Sequence, residues 1–286
     1  MDLSDKNFVP CEAGLGNRLY AFYTGYYLSH FLNLQDKTIY LWPISPYCNV
    51  GFKKLFCPSN NLKSWHTYKS PQEHKNAQDE TPILIKRAYE WRDVRDNLTD
   101  EVKIKLGAGK GYPINAIWFM FYDSNLTNLD SLLSFEEVVR FSFNRIKLNE
   151  TVTSLINSVD IPDKTIGIHV RGGTAKQGKL NKEDKREYVP LNRYIEVISE
   201  KLSNNPSLKF FISTEDMEDE IILKEKFPHN TIIIPNSFKN LNRTGYQHAM
   251  AELVCLSKCD SIMGMISSFN NVASLIGKNK LTHIKA

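Results

Sequence analysis

The stretch 165–174, Thr-Ile-Gly-Ile-His-Val-Arg-Gly-Gly-Thr, runs an apolar strand directly into a turn that carries His169, Arg171, Gly172 and Gly173. Arginine presents a fixed fork of donors that matches phosphate oxygens, and paired glycines let backbone approach a ligand that any Cβ would hold away. The chemistry on offer is anion binding; the plainer alternative is a strand end with an exposed arginine. Three other groups follow apolar stretches in the same manner. Gly14-Leu15-Gly16-Asn17-Arg18 lies near the start of the chain. Ser213-Thr214-Glu215-Asp216 either caps a helix or contacts a base or ribose. In Gly264-Met265-Ile266-Ser267-Ser268-Phe269-Asn270-Asn271, a serine serves as N-cap, or the free N–H groups of the following helix face an anion.

Several rival chemistries find no support. Gly14-x-Gly16 lacks the third glycine of a dinucleotide fingerprint, and Gly107-Ala108-Gly109-Lys110-Gly111-Tyr112 fails the spacing of a P-loop and reads as a loop. There is no Gly-x-Ser-x-Gly elbow and no His-Glu-x-x-His helix. No Asp-x-Asp pair offers a divalent ion a carboxylate clamp, so positive side chains and helix N-termini would have to carry any phosphate charge.

Elements able to position these groups are readable in the second half. Short apolar runs at 165–170, 208–212, 231–234, 261–264 and 281–284 predict buried parallel strands. Between them, 191–202, 217–227, 247–257 and 269–276 predict helices, with Pro190 and Asp216 at helix starts and Gly277 as a C-terminal stop. The first half opens similarly, with a strand at 8–11, a glycine turn, a helix at 19–32 and a strand at 38–42. Residues 59–80 read as an irregular excursion, 131–158 as helical and 160–163 as a hinge. The expected organisation is two α/β domains, 1–158 and 159–286, each binding ligands beyond the carboxyl ends of its strands and together forming a cleft.

Bulk composition narrows the function classes. With 36 basic and 32 acidic residues, a net charge of +4 and no long single-sign block, the chain does not read as a nucleic-acid binder. No apolar run approaches the length of a membrane span and no signal peptide is evident, so a cytoplasmic, soluble protein is expected. The sequons at Asn97, Asn125, Asn149 and Asn242 are read as chance on that basis. Cys11, Cys48, Cys57, Cys255 and Cys259 form no metal spacing and are expected to be reduced, the last two packed in a core.

Taken together, the order of motifs resembles the fucosyltransferase superfamily with a GT-B-like fold, which includes α1,2- and α1,6-fucosyltransferases, the rhizobial nodulation enzyme and protein O-fucosyltransferases. Residues 11–19 are similar to its N-terminal glycine motif, and Leu41-Trp42-Pro43 with Cys48, Phe52 and Leu55-Phe56 to the segment after it. His169-Val170-Arg171 matches its His-x-Arg motif, and Ala251-Glu252-Leu253 through Ser268-Phe269 its C-terminal motif. The resemblance implies two Rossmann-like domains facing a cleft, the first on the acceptor side and the second binding the nucleotide sugar. It implies inverting, metal-independent transfer, most simply of fucose from GDP-fucose, to a glycan hydroxyl, with no cofactor. Arg171 would hold the β-phosphate and Glu12 would act as base, with Glu183, Asp184 and Glu187 as the other carboxylates considered. Gly14, Gly16, Asn17, Arg18, His169, Gly172, Thr214, Asp216, Ser267, Ser268 and Phe269 would bind the donor. At 172–174 the chain has Gly-Gly-Thr where many members carry a second arginine or Gly-Asp. Another donor, such as UDP-xylose or another GDP-sugar, therefore stays open, as does an inactive glycan-binding protein on the same scaffold. Trp65, Trp91 and Trp118 either stack on acceptor sugar rings or lie in the core.

Overall fold

The computed structural model describes residues 7–11, 14–31, 35, 38–42, 48–57, 65–66, 135–171, 188–235 and 245–286. The chain divides into two compact units, Met1–Asn149 and Glu150–Ala286.

The first unit holds a parallel sheet of β1 (Asn7–Pro10), β2 (Thr38–Leu41) and β3 (Trp65–His66), in that order. Helix α1 (Leu15–Phe31) connects β1 to β2, and α2 (Phe135–Phe143) packs on it. Leu19, Tyr20, Ala21, Phe22 and Tyr23 follow one another and are all buried, which a helix permits only when it is covered on every side. Phe22 sits at the centre, edge-on to Tyr40 at 5.0 Å and to Phe52 at 4.8 Å, with Phe56 at 5.1 Å. The Trp42 Nε1 donates to the Val50 carbonyl at 3.0 Å, which satisfies its polar edge inside this aromatic cluster.

The second unit is a five-stranded parallel sheet in the order β6-β5-β4-β7-β8. Its strands are β4 (Ile166–Val170), β5 (Phe210–Thr214), β6 (Thr231–Ile232), β7 (Ser261–Gly264) and β8 (Lys280–His283). Its helices are α3 (Glu150–Asn157), α4 (Leu191–Asn204), α5 (Met217–Lys226), α6 (Gly245–Ser257) and α7 (Ser268–Gly277). Strand alternation sorts side chains between two faces. Ile166, Ile168, Val170, Phe210 and Ile212 join Tyr194 and Ile198 of α4 and Leu223 of α5 in one core. Gly167 turns instead toward α6, where a Cβ would lie 2.7 Å from Leu256 Cδ2. The strand is covered on both faces, as expected for a parallel sheet. Val152 and Ile156 of α3 are buried and α3 packs on α6, so this helix groups with the second unit although the sequence division placed 150–158 in the first.

All five predicted strands of this unit exist, with one displacement that matters. Strand β5 extends to Thr214, because Phe210 through Thr214 pair in register with Ile166 through Val170. Ser213 and Thr214, expected in the following turn, are thus strand residues. The expected role of Gly277 is also corrected. The left-handed residue that ends α7 is Lys278, with φ 59°, whereas Gly277 lies inside the helix and a Cβ there would overlap the Ser257 carbonyl oxygen. Close approach of α7 to the end of α6, not chain reversal, requires that glycine.

Asn279 completes this contact. Its Nδ2 donates toward the carbonyls of Leu256, Ser257 and Cys259 at 3.1, 3.3 and 2.7 Å, capping the last turn of α6. Asn279→Ala should destabilise the fold by about 1–3 kcal/mol, the range for leaving buried acceptors unmet. Urea unfolding monitored by circular dichroism would measure it, and an unchanged midpoint would remove the cap from the account. None of the five cysteines is in a disulfide, and burial pushes the Cys255 and Cys259 thiols up to about 12, as expected for inert core residues. Among the described residues no helix is long and apolar enough to cross a membrane.

Candidate functional site

The carboxyl ends of parallel strands leave a crevice into which connecting turns project. In the second unit three of the four sequence groups gather at that edge. Strand β4 ends at Val170, so Arg171 is the first residue beyond it and is partly exposed. His169 precedes it on the face opposite Ile168 and Val170, pairing in register with Ser213 of β5 and Gly264 of β7. The residue is 9% exposed and its ring stacks on the Phe269 ring, with centroids 4.8 Å apart and planes inclined by 29°. His169 is thus turned into a packed region.

Beyond β7, Ser267 is the N-cap of α7. Its Oγ accepts from the Asn270 amide at 3.1 Å, and its carbonyl accepts from the Asn271 amide at 3.2 Å. Helix geometry gives the amides of Ser268 and Phe269 no partner within the helix, so these donors, with the positive end of the helix dipole, point outward at this edge. Ser268 is partly exposed, whereas Ser267 is buried. Gly264 is needed here for close approach, since a Cβ would lie 2.7 Å from both the His169 carbonyl oxygen and Asn270 Nδ2.

Beyond β5, the structure gives the Thr214 and Asp216 side chains a capping role. The Thr214 Oγ1 accepts from the Asp216 amide at 3.1 Å, and Asp216 Oδ1 accepts from the Glu218 amide at 3.0 Å, starting α5. Thr214 is buried.

The first-unit group is placed differently from the expected turn. Helix α1 begins at Leu15, four residues before its predicted start, and the Arg18 amide donates to the Gly14 carbonyl at 3.1 Å. Gly16, Asn17 and Arg18 are therefore helical. Arg18 is fully buried, its guanidinium carbon 5.3 Å from the centre of the Trp42 ring, a cation–π contact within this unit. Glu12, Gly172, Glu183, Asp184, Glu187, Trp91, Trp118 and residues 107–112 lie outside the described residues, and so does the side chain of Trp65.

Sequence reading missed one buried polar cluster. Ser213 Oγ donates to Glu252 Oε2 at 3.0 Å, and Glu252 Oε1 lies 3.5 Å from His248 Nδ1. All three residues are at most 5% exposed. The signal was present as His248 and Glu252 four apart within a mostly apolar helix, which places both on one face. The cluster ties the first two turns of α6 to the end of β5.

No protein-family model matches the chain, and no curated protein matches it in sequence. Solved structures do match. The fucosyltransferase NodZ from Bradyrhizobium aligns with a TM-score of 0.56 at 16% identity, over 96% of this chain and 94% of that one. NodZ α1,6-fucosyltransferase soaked with GDP-fucose gives 0.55 at 14% identity, over 96% and 92%. POFUT1 in its apo form gives 0.50 at 10% identity over the whole of both chains. The α/β, GT-B-like fold expected from the sequence is therefore the fold found, and it is the fold of these fucosyltransferases.

Proposed function

We propose that the chain is a glycosyltransferase that moves fucose from GDP-fucose to a glycan hydroxyl, with inversion and without a metal. The observation that carries this reading is the convergence of Arg171, the His169–Phe269 stack and the capped start of α7 at neighbouring strand ends, on a fold shared with a fucosyltransferase soaked with GDP-fucose. The second unit binds the donor and the first serves the acceptor.

In this reading the Arg171 guanidinium and the Ser268 and Phe269 amides bind the diphosphate. The acceptor oxygen attacks the anomeric carbon from the face opposite the phosphate. As that bond forms, the bond from the anomeric carbon to the β-phosphate oxygen breaks, and its electron pair leaves with GDP. The acceptor proton passes to Glu12. Charge grows on the leaving oxygen during bond breaking, so cations and amides fixed at that place stabilise the transition state more than the bound substrate.

Purified protein should release GDP from GDP-fucose in the presence of a glycan acceptor, with undiminished rate in EDTA. A panel including other GDP-sugars and UDP-xylose reads the donor. Turnover of UDP-xylose alone would reassign the nucleotide, a strict metal requirement would defeat the mechanism, and binding without turnover of any donor would reassign the chain as a binding protein.

A further inference from the structure

We propose that Asn270 is the positioning residue of the diphosphate site, its side-chain amide fixing the turn between β7 and α7 so that the Ser268 and Phe269 amides converge on the β-phosphate. The inference rests on the nucleotide-sugar reading of this edge.

Asn270 is fully buried in the first turn of α7 and grips the preceding turn twice. Its backbone amide donates to Ser267 Oγ at 3.1 Å, and its Nδ2 donates to the Met265 carbonyl at 2.8 Å. These bonds close a ring over Met265 through Asn270, the segment carrying the outward amides. The space for the amide comes from Gly264, where any Cβ would lie 2.7 Å from Nδ2. That same Cβ would lie 2.7 Å from the carbonyl oxygen of His169, so the amide is wedged beside the strand that delivers Arg171. Asn270 thereby sets the α7 turn against the end of β4.

One detail separates this from ordinary core filling. Asn270 Oδ1 is buried and has no hydrogen-bond partner among the described residues. Buried amides in structural positions are generally satisfied at both ends, because an unmet acceptor is costly. Reversing the amide would lose the Met265 bond. An apolar residue of the same shape would avoid the burial penalty but could not hold the carbonyl. A half-satisfied amide at this place fits a residue whose role is what its Nδ2 holds in place.

Wild-type protein, Asn270→Leu and Asn270→Asp should be compared in affinity for GDP and GMP, alongside thermal melts. The turn faces the second phosphate, so Asn270→Leu should weaken GDP about tenfold, one hydrogen bond's worth of affinity, and change GMP far less. In Asn270→Asp a protonated carboxyl can still donate to Met265 and a carboxylate cannot. GDP binding by this variant, relative to wild type at each pH, should therefore recover as pH falls. A variant that melts cooperatively yet binds GDP as tightly as wild type would overturn the inference. So would equal losses for GMP and GDP together with a flat relative pH profile. If Asn270→Leu does not fold, the pH profile of Asn270→Asp decides. Wild-type protein that binds neither nucleotide fails the underlying reading as well, which distinguishes the two failures.

Discussion

Arg171→Ala should lower kcat/KM for transfer by on the order of 10² to 10³, the loss that follows removal of one preorganised donor from a developing oxyanion. The melting temperature should scarcely change. Arg171 is partly exposed just past the end of β4, outside the core of Ile166, Ile168 and Val170, and substitutions at such positions stay within about 0.5 kcal/mol. The split between kcat and KM identifies when the guanidinium acts. Loss confined to KM would mean uniform binding of the diphosphate, whereas equal loss in kcat and kcat/KM would mean contact realised as the anomeric bond breaks. Arg171→Lys should recover only part of the rate, because an ammonium supplies a point charge without the planar fork. Full activity in Arg171→Ala would remove this residue from the mechanism.

The second unit was largely legible in the sequence because its strands are buried on both faces and therefore read as uninterrupted apolar runs between turn signals. Strand 261–264 was placed to the residue. The end of β5 was misplaced because Ser213 and Thr214 look like turn residues. They are tolerated in a buried strand because Glu252 accepts from Ser213 and the Asp216 amide donates to Thr214, partners that sequence spacing does not reveal. The same limit hid Asn270. Its importance depends on the space left by Gly264 six residues earlier and on the Met265 carbonyl, both set by the path of the turn. In the first unit, glycines at 14 and 16 suggested a loop, yet the surrounding aromatic core carries the helix through Gly16. Tertiary packing there overrides the local propensity of glycine.

The placement of Arg18 bears on how the first unit's glycine motif is read. The Arg18 guanidinium is fully buried and lies over Trp42 of the same unit. Burial also pushes the neighbouring Cys48 thiol up, while the positive charge of Arg18 pulls it the other way. In the second unit, by contrast, Arg171 follows the end of β4, at the same sheet edge where α7 begins beyond β7. Both arginines stand near glycines in the sequence, and the structure buries Arg18 fully while leaving Arg171 partly exposed.

Glu252→Ala should produce the largest loss of stability among substitutions near this edge. Glu252 is 5% exposed, accepts from Ser213 Oγ at 3.0 Å and lies 3.5 Å from His248 Nδ1, so its removal strips a buried hydroxyl of its acceptor and a buried imidazole of the carboxylate beside it. Breaking one partner out of a buried polar network costs about 2–4 kcal/mol, more than the same groups contribute when intact, because those left behind stay desolvated. In a chain of this size that corresponds to a fall in melting temperature of roughly 3–8 °C. Glu252→Gln keeps the volume and one acceptor oxygen for Ser213, and should lose about 1 kcal/mol. The ordering of the two variants is the informative measurement. A purely steric role would make glutamine equal to wild type, and a melting point for Glu252→Ala indistinguishable from wild type would mean that the strap between α6 and β5 contributes nothing. Because Ser213 pairs in register with His169, loosening that strap should also relax the strand from which Arg171 projects. The folded fraction of Glu252→Ala should then bind GDP more weakly than wild type even after correction for unfolded protein.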